Sequence, residues 1–240
     1  MIDFISICER PEYNTRRGVL INGRQKRHDQ YAMNVLEAYA EWSHTYDDDR
    51  NLTRDLDEEV MRRTFAGAQY RTVLEIGCGT GKNTALLAEI AGRVHALDFS
   101  EAMIERARRR VPAEKVKFSV ADLTNPWPVD NSSINLISCN LVLEHIESFQ
   151  FIFAEAARVL AASGQFFISE LHPFRQYRGT KASFQRHDEI RIIDAFVHDV
   201  TDFTEAALNN NLRLETIKEW RHEEDSDKPP RLISFMFQKP

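Results

Sequence analysis

Residues 73–81 read VLEIGCGTG, a short apolar run followed at once by three alternating glycines. The run is typical of a buried β-strand, and the periodicity that follows from Lys82 predicts a helix directly after the glycines. Glycine permits positive φ and lets a ligand lie against the main chain, while the free amides of the helix start face that ligand. The segment therefore predicts a strand, a loop and a helix that bind a ligand.

Two common nucleotide-binding loops fit this segment poorly. The dinucleotide fingerprint G-x-G-x-x-G needs a third glycine at the position of Lys82. A phosphate-binding P-loop needs glycine at Ile76 and serine or threonine at Asn83. The residues alone predict a ligand and leave its identity open.

Downstream of this segment, short apolar strands alternate with amphipathic helices, which is typical of an α/β protein with a parallel sheet covered on both faces. The predicted strands are 72–76, 94–98, 116–120, 134–139 and 165–170, and the predicted helices are about 82–91, 100–110 and 149–160. Near the end, 191–197 reads as an extra strand, and a helix is expected to begin at Thr201 or Asp202. The segments LRLETIKEW and RLISFMF are expected to form a closing hairpin at the sheet edge.

Residues 1–66 precede this core and are expected to form an irregular arm followed by a helical cap. The cap helices are predicted over about 31–42 and 55–65, the second of them opened by a capping box of Asp55 and Glu58. The core is assigned to 67–240. Within it, 171–200 has no clear periodicity but many aromatic and histidine residues, so we expect an inserted lid.

Composition excludes several classes of protein. The 240 residues carry 31 basic and 37 acidic side chains, a net charge of −6, which disfavours nucleic acid as a partner. No apolar run approaches the roughly 20 residues of a membrane span, and the first residues lack the pattern of a secretory signal. Three cysteines are too few and too scattered for a disulfide framework or a zinc site. We expect a cytoplasmic protein, with the oligomeric state left open and a homodimer compatible with the sequence.

The glycine loop resembles the first motif of class I S-adenosylmethionine-dependent methyltransferases, E-x-G-x-G-x-G, present here as Glu75, Gly77, Gly79 and Gly81. Asp98 ends the next predicted strand, where this family has an acid that accepts hydrogen bonds from the ribose hydroxyls. The resemblance implies that the ligand is S-adenosylmethionine and that S-adenosylhomocysteine is the product.

Three further segments are similar to the same family. Residues 121–123, ADL, lie where the family places an acid or amide against the adenine amino group. NLVLEH at 140–145 resembles the N-x-V-L-x-H segment of the small-molecule branch around the ubiquinone and biotin-pathway methyltransferases. WSHTYD at 42–47 resembles that branch's W-x-x-x-Y-D element, whose tyrosine closes over the cofactor. The resemblance covers about 40–170 and implies a Rossmann-like sheet of seven mostly parallel strands.

The resemblance also assigns residues to the cofactor. They are Tyr46, Glu75, Gly77, Cys78, Gly79, Gly81, Asp98, Phe99, Met103, Ala121, Asp122, Leu123, Asn140 and Leu141. Ser100 is the better placed helix cap, which favours a ribose role for Asp98. Met103 fits a place in the core equally well.

His145, Glu170 and His172 are the candidates for catalysis. Glu170 and His172 follow an apolar strand at its carboxyl end, where open α/β sheets bind ligands, although a capped strand end explains them almost as well. A neutral histidine suits removal of a proton from a hydroxyl or amine acceptor. The candidates for binding the acceptor are Trp42, Arg175, Tyr177 and His198. No metal site is expected, and the run Asp47-Asp48-Asp49 is interpreted as a solvated turn.

These observations predict methyl transfer from S-adenosylmethionine to a small, aromatic or apolar metabolite at oxygen or nitrogen. Two alternatives stay open. One is a methyltransferase that modifies tRNA or another nucleic acid, and the other is a binding module that has lost its chemistry and regulates a partner. A Rossmann oxidoreductase is the weakest alternative because Lys82 replaces the third glycine.

Overall fold

In the computed structural model of the protein, strands and helices alternate from Tyr70 onward, as the apolar periodicity predicts. The structure describes residues 35–43, 45–112, 114–186, 189–193 and 195–240. The predicted arm at 1–30 and the first residues of the predicted helix 31–42 lie outside the described residues. In the described ranges every helix is too short or too polar to cross a membrane.

The helices and strands alternate along most of the chain. In chain order they are α1 (Val35–Trp42), α2 (Leu52–Thr64), β1 (Tyr70–Ile76), α3 (Lys82–Ile90), β2 (Ala91–Asp98), α4 (Glu101–Arg110), β3 (Val116–Val120), β4 (Ile134–Asn140), α5 (Gln150–Val159), β5 (Leu160–Leu171), α6 (Pro173–Tyr177), β6 (Ser183–Arg186), β7 (Glu189–Ile192), α7 (Val200–Asn209), β8 (Arg213–Trp220) and β9 (Leu232–Gln238). Two short 3-10 turns lie at Leu143–His145 and Glu223–Asp225.

Seven of the strands form one sheet in the order β3-β2-β1-β4-β5-β9-β8. The strands from β3 to β5 are parallel, whereas β9 is antiparallel to both β5 and β8. This confirms the predicted Rossmann-like sheet and its closing hairpin, with β9 inserted between β5 and the edge strand. Strands β2 and β3 are added on one side of β1, and β4 and β5 are added on the other side. Such a switch point in the strand order opens a crevice at the carboxyl ends of the strands.

The core lies on both faces of the sheet, because successive side chains of a strand point to opposite faces. In β5, Phe166 packs into one core with Phe153 and Phe237, and these three side chains are fully buried. Its neighbour Phe167 packs into the other core against Phe65. Burial on both faces explains why these strands read as nearly continuous apolar runs.

Two predicted helix starts are wrong. Helix α2 begins at Leu52, and its cap is Asn51, whose side chain accepts from the amides of Thr53 and Arg54 at 3.0 and 3.1 Å. The acids expected to form its capping box instead pair with a lysine of α3. Helix α7 begins at Val200 with Asp199 as its cap, rather than at Thr201 or Asp202.

The predicted extra strand 191–197 is also wrong in length and in place. Its first residues belong to β7, which pairs with β6 in a separate two-stranded ribbon, and 195–199 has no regular structure. Strand β7 pairs with β6 because the two strands are neighbours in the sequence. The predicted lid, 171–200, thus contains α6, this ribbon and an irregular segment, and its function as a lid stays a prediction.

Candidate active site

The three glycines after β1 all have positive φ: 74° at Gly77, 51° at Gly79 and 82° at Gly81. The amides of Gly77 and Cys78 both donate to the carbonyl of Leu97 in the adjacent strand, at 2.8 and 2.9 Å. A Cβ at Gly77 would lie 2.1 Å from Cγ2 of Val142, so that only glycine fits beside the turn after β4.

Asp98 ends β2 beside this loop and holds it in place. One carboxylate oxygen accepts from the amide of Gly79 at 2.8 Å, and the other accepts from the amide of Ser100 at 2.9 Å. Burial raises the pKa of Asp98 to about 6, against hydrogen bonds that lower it. A carboxylate offers about four lone-pair positions, and the amides of Gly79, Ser100 and Phe99 do not fill them all, so Asp98 can still accept from a hydroxyl of a ligand.

A first cavity of ≈ 180 Å³ opens at the carboxyl ends of the parallel strands. Its lining residues are Val35, Tyr39, Tyr46, Gly77, Gly79, Asp98, Phe99, Met103, Asp122, Leu123, Thr124, Asn140, Leu141, Val142, His145 and Ile146. Ten of the fourteen residues predicted to bind the cofactor are among them, and they come from the ends of four neighbouring strands and from the turn after α1. The topology therefore brings together segments that the sequence spreads over a hundred positions.

The other four predicted cofactor residues do not line the first cavity. The carboxylate of Glu75 accepts from the hydroxyl of Thr84 beneath the loop, and burial raises its pKa to about 8. Cys78 is buried in the core. A Cβ at Gly81 would lie 3.1 Å from Ala107 of α4, and the amide of Ala121 donates to the carbonyl of Asp98. These residues shape the loop and the strand ends around the cavity.

A second cavity of ≈ 330 Å³ adjoins the first. Its lining residues are Tyr39, Trp42, Tyr46, Arg50, Asn51, Leu52, Thr53, Arg54, Leu141, Glu144, Leu171, Thr180, Lys181, Ala182 and Arg231. Tyr39, Tyr46 and Leu141 line both cavities. Trp42, one of the residues predicted to bind the acceptor, lines the second cavity.

His145 is the predicted catalytic residue that reaches a cavity. Its Nε2 lies 2.9 Å from the hydroxyl of Tyr39. Burial raises the pKa of Tyr39 well above its ordinary value, so the phenol keeps its proton at neutral pH. The neighbouring Glu144 is buried on the side of the second cavity, and burial raises its pKa to about 7 although a hydrogen bond from Gln176 lowers it.

His172 and Glu170 lie outside the residues that line the two cavities. Nδ1 of His172 accepts from the amide of Phe174 at 3.1 Å and so caps α6. Pro173, at the first position of that helix, has no amide proton to donate. Its Nε2 lies 3.1 Å from Glu219. The carboxylate of Glu170 accepts from the amides of the two residues after Leu141, each at 2.9 Å. The structure thus gives both side chains roles in holding the backbone.

Three of the residues predicted to bind the acceptor also lie outside both linings. Arg175 pairs with Asp225 at 2.9 Å. The hydroxyl of Tyr177 donates to Asp199, and its side chain is largely exposed. Nε2 of His198 lies 2.9 Å from the carbonyl of Ile146, and His198 does not line the second cavity.

The acidic turn after Trp42 is more than the solvated turn expected from its sequence. Asp47 accepts from the hydroxyl of Thr80 in the glycine loop at 2.8 Å and pairs with Arg110 of α4 at 3.0 Å. Asp49 accepts from the indole of Trp42 at 3.1 Å. In the part of the chain that the structure describes, no group of three or more histidine, cysteine, aspartate or glutamate side chains is placed to hold a metal ion.

Tyr39, Arg54, Glu144 and Arg231 are among the lining residues that were not predicted from the sequence. Tyr39 reads as an apolar position of a helix, and Arg54 reads as a surface charge of the next one. Glu144 lies inside NLVLEH and could have been noted there, since a carboxylate beside the histidine faces the same turn. Arg231 precedes the last strand and lies in a segment with no motif.

Comparisons with known proteins agree with this geometry. Residues 74–168 match the family model of a methyltransferase domain. The biotin biosynthesis bifunctional protein BioHC of Teredinibacter turnerae is 25% identical over 197 residues, which cover 77% of this chain and 32% of that protein. The demethylmenaquinone methyltransferase of Clavibacter sepedonicus is 31% identical over 141 residues, covering 57% of each. The chain spans about a third of the length of the first curated relatives that it matches.

A solved structure shows the same fold. A crystal structure described as an S-adenosylmethionine-dependent methyltransferase from Listeria monocytogenes superimposes with a TM-score of 0.66 at 20% identity. The superposition covers 78% of this chain and 99% of that one. The match includes nearly all of that protein, so the two chains share one fold.

Proposed function

We propose that this chain, whose residues 74–168 form a class I S-adenosylmethionine-dependent methyltransferase domain, transfers a methyl group from S-adenosylmethionine to a small molecule at oxygen or nitrogen. The observation that carries the proposal is the pair of adjoining cavities, which share Tyr39, Tyr46 and Leu141. In-line displacement needs donor and acceptor held close and aligned, and two adjoining cavities can hold them so.

The first cavity fits S-adenosylmethionine in the chemistry of its residues. Asp98 has lone pairs left for the ribose hydroxyls, and a Cβ at Gly79 would meet open space, so the main chain is accessible to a ligand there. Phe99, Met103 and Leu123 supply apolar surface for the adenine. The bound cofactor supplies an electrophilic methyl group.

The second cavity is our candidate for the acceptor site. Tyr39 and His145 form a hydrogen-bonded pair at its border with the first cavity, and Glu144 is buried on its wall. When the imidazole is neutral, its Nε2 can take the proton of the Tyr39 hydroxyl while that hydroxyl takes the proton released by a hydroxyl or amine acceptor, so that the released positive charge ends on His145. A relative named for biotin biosynthesis and another that is a demethylmenaquinone methyltransferase support a small acceptor.

Calorimetric titration of the full chain with S-adenosylmethionine and with S-adenosylhomocysteine tests the first half of the proposal, with NADH as the control ligand. We expect micromolar binding of the two sulfur compounds and none of NADH. Transfer of a labelled methyl group to a panel of small aromatic and apolar acceptors, with tRNA in the same panel, tests the second half. Absence of cofactor binding, or labelling of tRNA alone, would overturn the proposal.

A further inference from the structure

The second cavity has a wall of basic side chains. Arg50, Arg54, Lys181 and Arg231 line it, and Glu144 is the carboxylate among its lining residues. Four basic side chains thus line one small cavity in a protein whose net charge is −6. Such a field attracts and orients a negatively charged ligand.

Two carboxylates neutralise part of this charge, because Glu224 pairs with Arg50 and Asp225 pairs with Arg231. Arg231 and Arg175 both pair with Asp225, so one carboxylate is shared by two guanidinium groups. All three side chains are largely buried, with exposed fractions of 14%, 12% and 2%. Taking charges out of water is costly unless they are paired, and this cluster keeps one excess positive charge.

Arg54 adds a second excess charge on the same wall. Its Nη atoms donate to the carbonyls of Tyr46 and Asp49, and its guanidinium lies 4.1 Å from the ring centre of Tyr46. In the described ranges, no carboxylate comes within 4.0 Å of this guanidinium to form an ion pair. The two Nη atoms of Arg54 thus hold the turn after α1, and its Nε takes no part in these contacts.

The inner nitrogens of both arginines lack partners. Nε of Arg54 and Nε of Arg231 are buried and have no hydrogen-bond partner among the described residues. Buried donors in folded proteins nearly always have an acceptor, so each such atom needs an explanation. Oε2 of Glu144 on the same wall is likewise buried, without a partner in the described part of the chain. Both arginines line the second cavity, where a ligand that carries acceptor oxygens would meet their uncompensated positive charge.

We propose that the second cavity binds the methyl acceptor through an anionic group, a carboxylate or a phosphate, held by Arg54 and Arg231 with Arg50 and Lys181 at the entrance. The inference rests on the proposed function, since it assigns the acceptor to this cavity. Guanidinium forks match the geometry of carboxylate and phosphate oxygens. Leu52, Leu141 and Leu171 line the same cavity and offer apolar surface to the rest of the acceptor. Glu144, whose pKa burial raises to about 7, carries little opposing charge below neutral pH.

The test uses four probes that share an eight-carbon chain and differ in their end group: octanoate, octyl phosphate, octanol and octylamine. Each is titrated by calorimetry into the full chain saturated with S-adenosylhomocysteine. We expect octanoate or octyl phosphate to bind about tenfold or more tightly than octanol and octylamine, since only the anions meet the arginines. The stronger of the two anionic probes identifies carboxylate or phosphate as the group recognised.

Arg231→Gln and Arg175→Gln are a matched pair of variants. Each removes one guanidinium from Asp225, but Arg175 does not line the cavity. We expect Arg231→Gln to weaken the anionic probe about tenfold and Arg175→Gln to weaken it less than about threefold, with S-adenosylhomocysteine affinity unchanged in both. Equal effects of the two variants, or equal affinity for octanoate and octanol, would overturn the proposal.

Lys181→Gln is a second variant that keeps the proposal testable if Arg231→Gln does not fold, because Lys181 is exposed at the cavity entrance. It is expected to weaken the anionic probe about threefold and to leave octanol unchanged. The same change for both probes, or no change for either, would overturn the proposal. Failure of the proposed function is a separate result, because S-adenosylhomocysteine itself would then not bind.

Discussion

The hydroxyl of Tyr39 lies 2.9 Å from Nε2 of His145, although the two residues are 106 positions apart in the chain. Tyr39 comes from α1 and His145 from the 3-10 turn after β4, and their rings meet edge to face at a centroid distance of 5.3 Å. The contact joins the cap helix to the sheet at the border between the two cavities. It fixes the imidazole in one orientation toward the first cavity.

The first prediction concerns His145 and His172. We expect His145→Ala to slow methyl transfer about 10²-fold, because it removes a general base, while cofactor affinity changes little. His172→Ala should leave the rate within about threefold and lower the unfolding free energy by about 1 kcal/mol, because it removes the cap of α6. Initial rates and urea denaturation of both variants measure this. A slow His172→Ala enzyme beside a fast His145→Ala enzyme would contradict it.

The second prediction concerns Asp98. Replacing it with alanine removes the ribose acceptor and releases the amide of Gly79, so S-adenosylhomocysteine should bind about 100-fold more weakly or not at all. The control is Ser100→Ala, which removes the cap of α4 next to it and should reduce stability by about 1 kcal/mol without a comparable loss of affinity. Calorimetric titration of both variants measures the two affinities. Equal affinities of Asp98→Ala and the unmodified chain would exclude Asp98 from the cofactor site.

The third prediction compares two glycines of the loop. Gly77→Ala places a methyl group 2.1 Å from Cγ2 of Val142, whereas a Cβ at Gly79 meets no atom within 4 Å. In both variants the positive φ lowers the free energy of unfolding by about 1 kcal/mol. Only Gly77→Ala adds a steric clash, which should lower it by a further ~1–3 kcal/mol. Chemical denaturation measures the difference.

The double variant Gly77→Ala with Val142→Ala is the control for that clash. It removes Cγ2 and should recover part of the lost stability, while the cost of positive φ remains. The methyl group of Gly79→Ala would enter the first cavity, so this variant should lose more binding free energy for the cofactor than free energy of unfolding. The prediction fails if the two single variants are equally stable.

The fourth prediction concerns pH and Glu170. Burial raises the pKa of Glu170 to about 8, so the folded protein holds this proton more tightly than the unfolded chain does. The stability contributed by the proton is complete below pH 4.5 and is lost as pH rises toward about 8. Glu170→Gln has no such proton to lose, so its melting temperature minus that of the unmodified chain should rise from pH 5 to about pH 8 by several degrees.

The control for this prediction is Glu101→Gln, which removes a carboxylate from the exposed start of α4. Melting temperatures of the three proteins at four pH values between 5 and 8 give the comparison. A constant difference between Glu170→Gln and the unmodified chain across this range would show that Glu170 is ionised in the folded protein. The two backbone amides that donate to Oε1 of Glu170 would then be sufficient to stabilise its charge.

Much of the fold follows from the sequence because periodicity is a local property. The strand 116–120 has the predicted bounds, and the other four parallel strands are predicted within a few residues of theirs. Capping was predicted less well. Asn51 and Asp199 begin their helices although Asp55 and Thr201 are equally good capping residues, and only the path of the preceding chain decides between them.

Most of the lining of the first cavity could also be predicted, because its residues lie at strand ends that motifs mark. The lining of the second cavity could not. Arg231 reaches the second cavity only because β9 inserts beside β5, and Tyr39 reaches it only because α1 packs over the strand ends. His172 has the residue type and strand-end position of a catalytic base, yet Pro173 after it makes it a helix cap.

The contact between Arg231 and the hydroxyl of Thr53 closes a loop of 178 residues. A ribosome delivers the segments of a protein in order, and domains begin to fold as they emerge. The glycine loop and its neighbouring strands are therefore all present before the strand that carries Arg231 to its place. A nascent chain can form the lining of the first cavity before Arg231 completes the lining of the second.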